Sequence, residues 1–197
     1  MCVTRSSEQL LPFALLTSER RFRCATNLEG NLNLTPKSDP EIDSWIRNYE
    51  KANRTSDDLY IELLEERARR TQMKQGLNFD RSLEHLKQAA MDRKCTSYGE
   101  LAKASGVEWS KARHQMNGSS GHLDRLLDIC HARGLPLLTA ICVNQGNVTD
   151  GELGEEALEG FAAGARRLGL AVTDPLDFHH RCREECWEWG AKARAAR

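Results

Sequence analysis

A mainly α-helical fold is what this sequence predicts, and three observations carry the prediction. Apolar residues recur at spacings of three and four in several separate stretches, each the signature of one buried helix face. Those stretches open at Ser, Asp or Asp-Pro signals and close near glycine. Only one run, "LPLLTAICVNQGN" from Leu135, has the continuous, β-branched texture of a strand. With 40% apolar and 29% charged residues over 197 positions, the chain has the balance of a folded globular protein.

Residues 1–39 lack sustained periodicity and are expected to be irregular. Asn27 to Pro40 is rich in loop residues, and a short β-hairpin around Arg21–Ala25 has weak support. Asp39-Pro40 opens the first helix, with Ile42, Trp45, Ile46 and Tyr49 on one face. Ser56 is expected to cap the second, which carries Leu59, Tyr60, Leu63 and Leu64 and ends near Gly76. Its acidic-then-basic order suits the helix dipole. Together they read as a helical hairpin over residues 40–76. Its tryptophan and tyrosines exceed what one thin helix pair can bury, so a homodimer contact through this hairpin is expected.

Residues 80–197 read as the second domain. A third helix, expected to be capped by Ser82, buries Leu83, Leu86, Ala90 and Met91. "TS" before Tyr98 caps a short helix, and Gly121–Arg133 forms another through Leu123, Leu126, Leu127 and Cys130. Gly134 ends that helix in the left-handed conformation. The run from Leu135 is read as a strand with "NQGN" as its turn, one arm of a small β-hairpin. A helix from about Gly154 to Leu168 follows, loosened by Gly160 and Gly164. Asp174-Pro175 opens the last helix, whose basic tail again matches the dipole.

The stretch "YGELAKASGVEWSKARHQMNG", Tyr98 to Gly118, holds the clearest functional pattern. Two helices that cross closely need a small residue in the first and a residue tolerant of positive φ at the turn. Ala102 and Gly106 meet that demand, with Leu101, Val107, Ala112 and Met116 facing inward. Over about 20 residues this resembles the helix-turn-helix family, and "TSYGELAKASG" resembles the matching helix of alkyltransferase-like DNA-binding proteins. The order helix, helix, turn, helix, helix, strand is similar to a winged helix, and to bacterial and phage proteins with a Leu-Pro-x-Leu-Thr-Ala strand. The resemblance implies a winged-helix-like domain that reads duplex DNA through its second helix. The outward residues of that helix are Trp109, Ser110, Lys111, Arg113, His114 and Asn117. Arg113 suits guanine, Asn117 suits adenine, and Lys111 suits a phosphate.

Charge bounds this reading. The net charge is −1, so any phosphate-binding surface must be local. Residues 82–118 hold six basic side chains against four acidic ones. The segment after the expected wing carries Asp150, Glu152, Glu155, Glu156 and Glu159 before any basic residue. An adaptor or inhibitor that binds a protein partner through its surface and the acidic Glu152–Glu159 segment is therefore the second reading.

Catalytic chemistry is not legible. His179, Cys182 and Cys186 share one helix face, and Cys130 or His131 could complete a zinc set. The short Cys-x₂-Cys loops of structural zinc sites are missing, so neither metal nor cofactor is expected. "ICHARG" only superficially matches the Pro-Cys-His-Arg nucleophile of the alkyltransferases, since Ile129 replaces the proline and Ala132 separates His131 from Arg133. No P-loop, dinucleotide or serine-nucleophile pattern occurs, and the protein is expected not to be an enzyme. The seven scattered cysteines read as reduced thiols, and "LLPFALL" is too short to span a bilayer. Both point to the cytoplasm, with no membrane partner.

Overall fold

Side-chain caps fix where several of the helices begin. The computed structural model describes residues 33–118 and 120–196. The hairpin expected at Arg21–Ala25 lies outside these residues. Helix α1 (Asp39–Lys51) starts at Ser38, whose hydroxyl accepts from Glu41 N while the Glu41 carboxylate accepts from Ser38 N at 2.7 Å. Helix α2 (Asp58–Gln72) starts at Asp57, one residue later than the Ser56 cap expected. Helix α3 (Phe79–Met91) is capped by Asn78, whose side chain accepts from Arg81 N at 2.9 Å. The expected cap of α3, Ser82, is instead a fully buried residue inside it. Asn78 satisfies the free N–H groups a turn earlier, so the helix needs no cap at 82.

The remaining helices follow in order: α4 (Tyr98–Ala104), α5 (Trp109–Met116), α6 (His122–Ala132), α7 (Glu155–Arg167) and α8 (Pro175–Ala195). Eight α-helices and a two-stranded sheet make the described chain mainly α. No helix among the described residues is long and apolar enough to cross a membrane.

The small β element is not the hairpin expected. Strand β1 (Thr96–Ser97) pairs in parallel with β2 (Cys142–Val143). Leu138–Ile141 forms a 3₁₀ turn packed against α3, α6 and α8, and every residue from Leu137 to Val143 is buried. A continuous apolar run buried all round has no alternation to hold it in a sheet, and periodicity cannot separate it from a buried coil. Side chains replace sheet neighbours as partners: His179 Nε2 donates to the Ala140 carbonyl at 2.9 Å, and Cys186 Sγ lies 3.4 Å from the Leu137 carbonyl. Gln145–Asn147 then coils toward α7 rather than returning as a second wing strand.

Leu34–Arg197 pack as one compact unit. The α1–α2 hairpin is clamped by Arg67 on Asp43 at 2.6 Å and Arg70 on Asp39 at 3.0 Å. Hydrogen bonds from Lys74 and Arg70 hold the Asp39 carboxyl down to about 2. Helix α2 lies on α6, and Tyr60, Leu63 and Leu64 are almost fully buried between them. Tyr60 is thereby taken into this chain's own core, while Trp45 and Tyr49 of α1 stay half-buried. One charged cluster joins α1, α6 and α7, with Asp128 fully buried and Arg167, Glu50 and Asp124 half-buried. Arg167 of α7 reaches Glu50 of α1 at 3.1 Å, and Asp124 and Asp128 of α6 at 2.9 and 2.5 Å.

The longest helix crossing, α3 on α8, depends on Gly190. A β-carbon there would sit 2.3 Å from the Ala90 carbonyl oxygen, which is backbone and cannot swing aside. Gly190→Ala is therefore expected to push the helices apart and cost about 1–3 kcal/mol, despite alanine's better helix propensity. Thermal unfolding checks this; an unchanged or raised Tm would show that the crossing is looser than described.

Candidate functional site

Helix α4 ends in a left-handed stop. Val107 N donates to the Ala102 carbonyl at 3.0 Å and Gly106 N to the Lys103 carbonyl at 2.9 Å, closing a Schellman motif around Gly106 at φ +82°. A side chain at 106 would be strained by that φ. Ala102 is fully buried, and α4 packs directly on α5. The start of α4 is equally defined, because the Ser97 hydroxyl accepts from Glu100 N at 3.2 Å and the Glu100 carboxylate accepts from Ser97 N at 3.0 Å.

A buried polar chain holds this two-helix unit to the core. The Gln75 amide donates to His122 Nδ1 at 3.0 Å, leaving Nε2 to donate to Ser82 Oγ at 2.8 Å. The Ser82 hydroxyl passes its proton toward Ser105 Oγ at 2.5 Å, and Ser105 donates to the Asn78 carbonyl at 3.2 Å. The His122 ring also stacks on Phe79, with centroids 4.6 Å apart. Ser105 is the C-cap of α4, so the turn is fixed from within. The sequence reading had no role for His122, Ser82 and Ser105 in this arrangement.

Helix α5 turns Ala112 and Met116 inward, both fully buried. The other side is open: Trp109, Ser110, Lys111, Arg113 and His114 are all exposed, as is Asn117, the C-cap residue. Six residues expected on one face thus lie together on it. Gln115, also exposed, accepts from Gly76 N at 3.3 Å, which accounts for a polar residue at that position. Arg113 Nε donates to His114 Nε2 at 3.2 Å. Among the described residues no carboxylate pairs with Lys103, Lys111 or Arg113, whereas Arg67, Arg70, Arg125 and Arg167 are all paired.

The acidic segment is partly used within the fold. Glu152 accepts from His180 at 2.9 Å and from Arg183 at 3.1 Å, and Glu155 and Glu156 occupy the first turn of α7, where the helix dipole favours them. The α8 thiols lie inward. Burial pushes Cys182 and Cys130 up to about 12, and Cys186 is fully buried. The described side chains whose ligand atoms come together with His179 are Glu152 and His180, within 4.8 Å of one another, rather than Cys182 and Cys186. Arg183 already sets its positive charge beside that carboxylate.

Comparison with protein-family models, with curated proteins and with solved structures finds no match to this chain.

Proposed function

We propose that this is a non-catalytic, regulatory DNA-binding protein that reads duplex DNA with α5. One observation carries the reading: a short helix, fixed on its inner side by Ala112 and Met116, presents Trp109, Ser110, Lys111, Arg113, His114 and Asn117 on an open face with unpaired cations. A guanidinium and a carboxamide at that position can fork onto base edges, while lysine supplies a phosphate contact. The near-neutral net charge limits the attraction to this local surface. The likeness to a helix-turn-helix unit supports the same reading; no hairpin wing does.

Fluorescence anisotropy with a labelled mixed-sequence duplex tests it. Affinity is expected to fall steeply as salt rises, since bound phosphates release counterions. Lys111→Ala should lower the salt slope by about one, and Arg113→Ala with Asn117→Ala should cost about 1–3 kcal/mol each if a specific site is present. All these side chains are exposed, so circular dichroism and Tm should not change. Salt-independent binding, or a double variant that behaves as wild type, would reject the assignment and leave the protein-binding alternative.

A further inference from the structure

Glu152, in the loop before α7, and the adjacent His179 and His180 of α8 each bring a ligand-type atom within 4.8 Å of the others. His179 is fully buried, its ring edge-on to Phe161. Its Nε2 donates to the Ala140 carbonyl at 2.9 Å, so the lone pair of the ring stands on Nδ1. Nδ1 is buried and has no hydrogen-bond partner. Buried polar atoms are almost always satisfied. An imidazole fixed to a backbone carbonyl through one nitrogen is also the form in which histidine binds metal through the other. A coordinated ion lies about 2.0–2.1 Å from such a nitrogen, inside the distance of a solvent contact. Closure of Nδ1 to water therefore does not separate it from an ion held by its two neighbours.

We propose that Glu152, His179 and His180 bind one divalent transition-metal cation, with zinc the ion that suits two imidazoles and a carboxylate. Three protein ligands leave a fourth position for water. Solvent can reach it, since the His180 and Glu152 side chains are 40% and 36% exposed. The ion replaces a proton: His180 Nε2 lies 2.9 Å from Glu152 Oε2, a hydrogen bond that both groups give up on coordination. Arg183 stands at 3.1 Å on the other oxygen, Oε1, and at 2.7 Å on the Gly151 carbonyl, so it orients the carboxylate and leaves Oε2 to the ion. Its positive charge weakens the site, which places the affinity in the micromolar range rather than below it. Ligands around one zinc stand about 3.4 Å apart, so the half-exposed Glu152 and His180 have to shift by only about 1 Å. The bound ion ties the loop before α7 to α8 and, through His179, to the buried Leu138–Ile141 turn. This site does not depend on whether α5 binds DNA.

The test is calorimetric titration of the full chain, stripped of metal with a chelator, with zinc chloride. Zinc is expected to bind at one site with Kd on the order of 1–10 µM. Zinc at about a hundred times Kd should raise Tm by about 5–10 °C. Glu152→Gln and His180→Ala, both at half-exposed positions, should keep the metal-free circular dichroism spectrum and each weaken zinc by about tenfold or more. His179 is left unchanged, because loss of a ring packed on Phe161 would confound binding with unfolding. Cobalt(II) should occupy the same site with a visible d–d band and no thiolate charge-transfer band, since no cysteine is a ligand. Absence of saturable zinc binding would overturn the proposal. So would a thiolate band, which would move the metal to the cysteines, or either variant binding zinc as wild type does.

Discussion

Arg167→Met is expected to cost about 3–5 kcal/mol of folding stability, a large share of what a domain of this size possesses. Methionine keeps the apolar stem but strands the three carboxylates that Arg167 joins, on Glu50, Asp124 and Asp128. Asp128 is fully buried and would retain only Arg125, at 2.8 Å. Burial already pushes the carboxyls of Asp128 and Glu50 upward, even with Arg167 beside them. Removing the guanidinium should raise both further, so the folded variant takes up protons before its unfolded chain does. Stability that rises as pH falls is the sign that follows. Urea unfolding should show a low midpoint at pH 7, with the gap to wild type narrowing by pH 5. Adding Asp128→Asn should recover part of the loss at pH 7, because it deletes the most deeply buried stranded charge. A single variant within about 0.5 kcal/mol of wild type would show that the cluster is not an energetic joint between α1, α6 and α7.

The elements legible from sequence are those whose chemistry is local. Ser97 before Tyr98, Asp174 before Pro175, and Gly106 and Gly134 at left-handed stops all act within a few residues of themselves, and each lies where expected. Where two candidates for one role lie close together, as Asn78 and Ser82 do, sequence cannot rank them, because Ser82 owes its place to His122 forty residues away. Only Cys142–Val143 of the run after Leu135 is strand, for a related reason: the burial of Leu138–Ile141 comes from α3, α6 and α8 together, not from a neighbouring strand. The outward face of α5 was readable because helical period alone separates Arg113 from Ala112. The charged cluster was not. Asp124 and Asp128 stand among the leucines of α6 without any local sign that Arg167 would meet them. Charged residues within an apolar helix face were the available signal, and they read equally well as solvent-facing.

Acid should weaken the fold through His122 well above the pH at which Asp39 and Glu66 protonate, against the opposite contribution of Asp128 and Glu50, whose carboxyls burial raises. Burial pushes His122 down to about 4, and the geometry shows why: Gln75 already donates to Nδ1, so a second ring proton would face another donor. An unfolded histidine titrates near 6.5. Between those values the unfolded chain holds a proton that the folded chain refuses, so stability increases with pH across the window. The contribution is complete above about pH 6.5 and gone by about pH 4, a change of about 3 kcal/mol. Burial lowers His179 too, which adds to the same trend. Asp39 and Glu66, both held near 2 by their cationic partners, lose stability only at more acid pH. His122→Phe isolates the effect, since it keeps a ring against Phe79 while deleting the titration and orphaning Ser82 and Gln75. It should be less stable than wild type at pH 7, and the difference should close by about 3 kcal/mol as the pH falls to 4. Parallel stability curves for the two proteins would remove His122 from this role. Because Ser105, at the end of α4, depends on the same chain, the α4–α5 unit should lose amide-exchange protection at mild acid pH before α2 and α6 do.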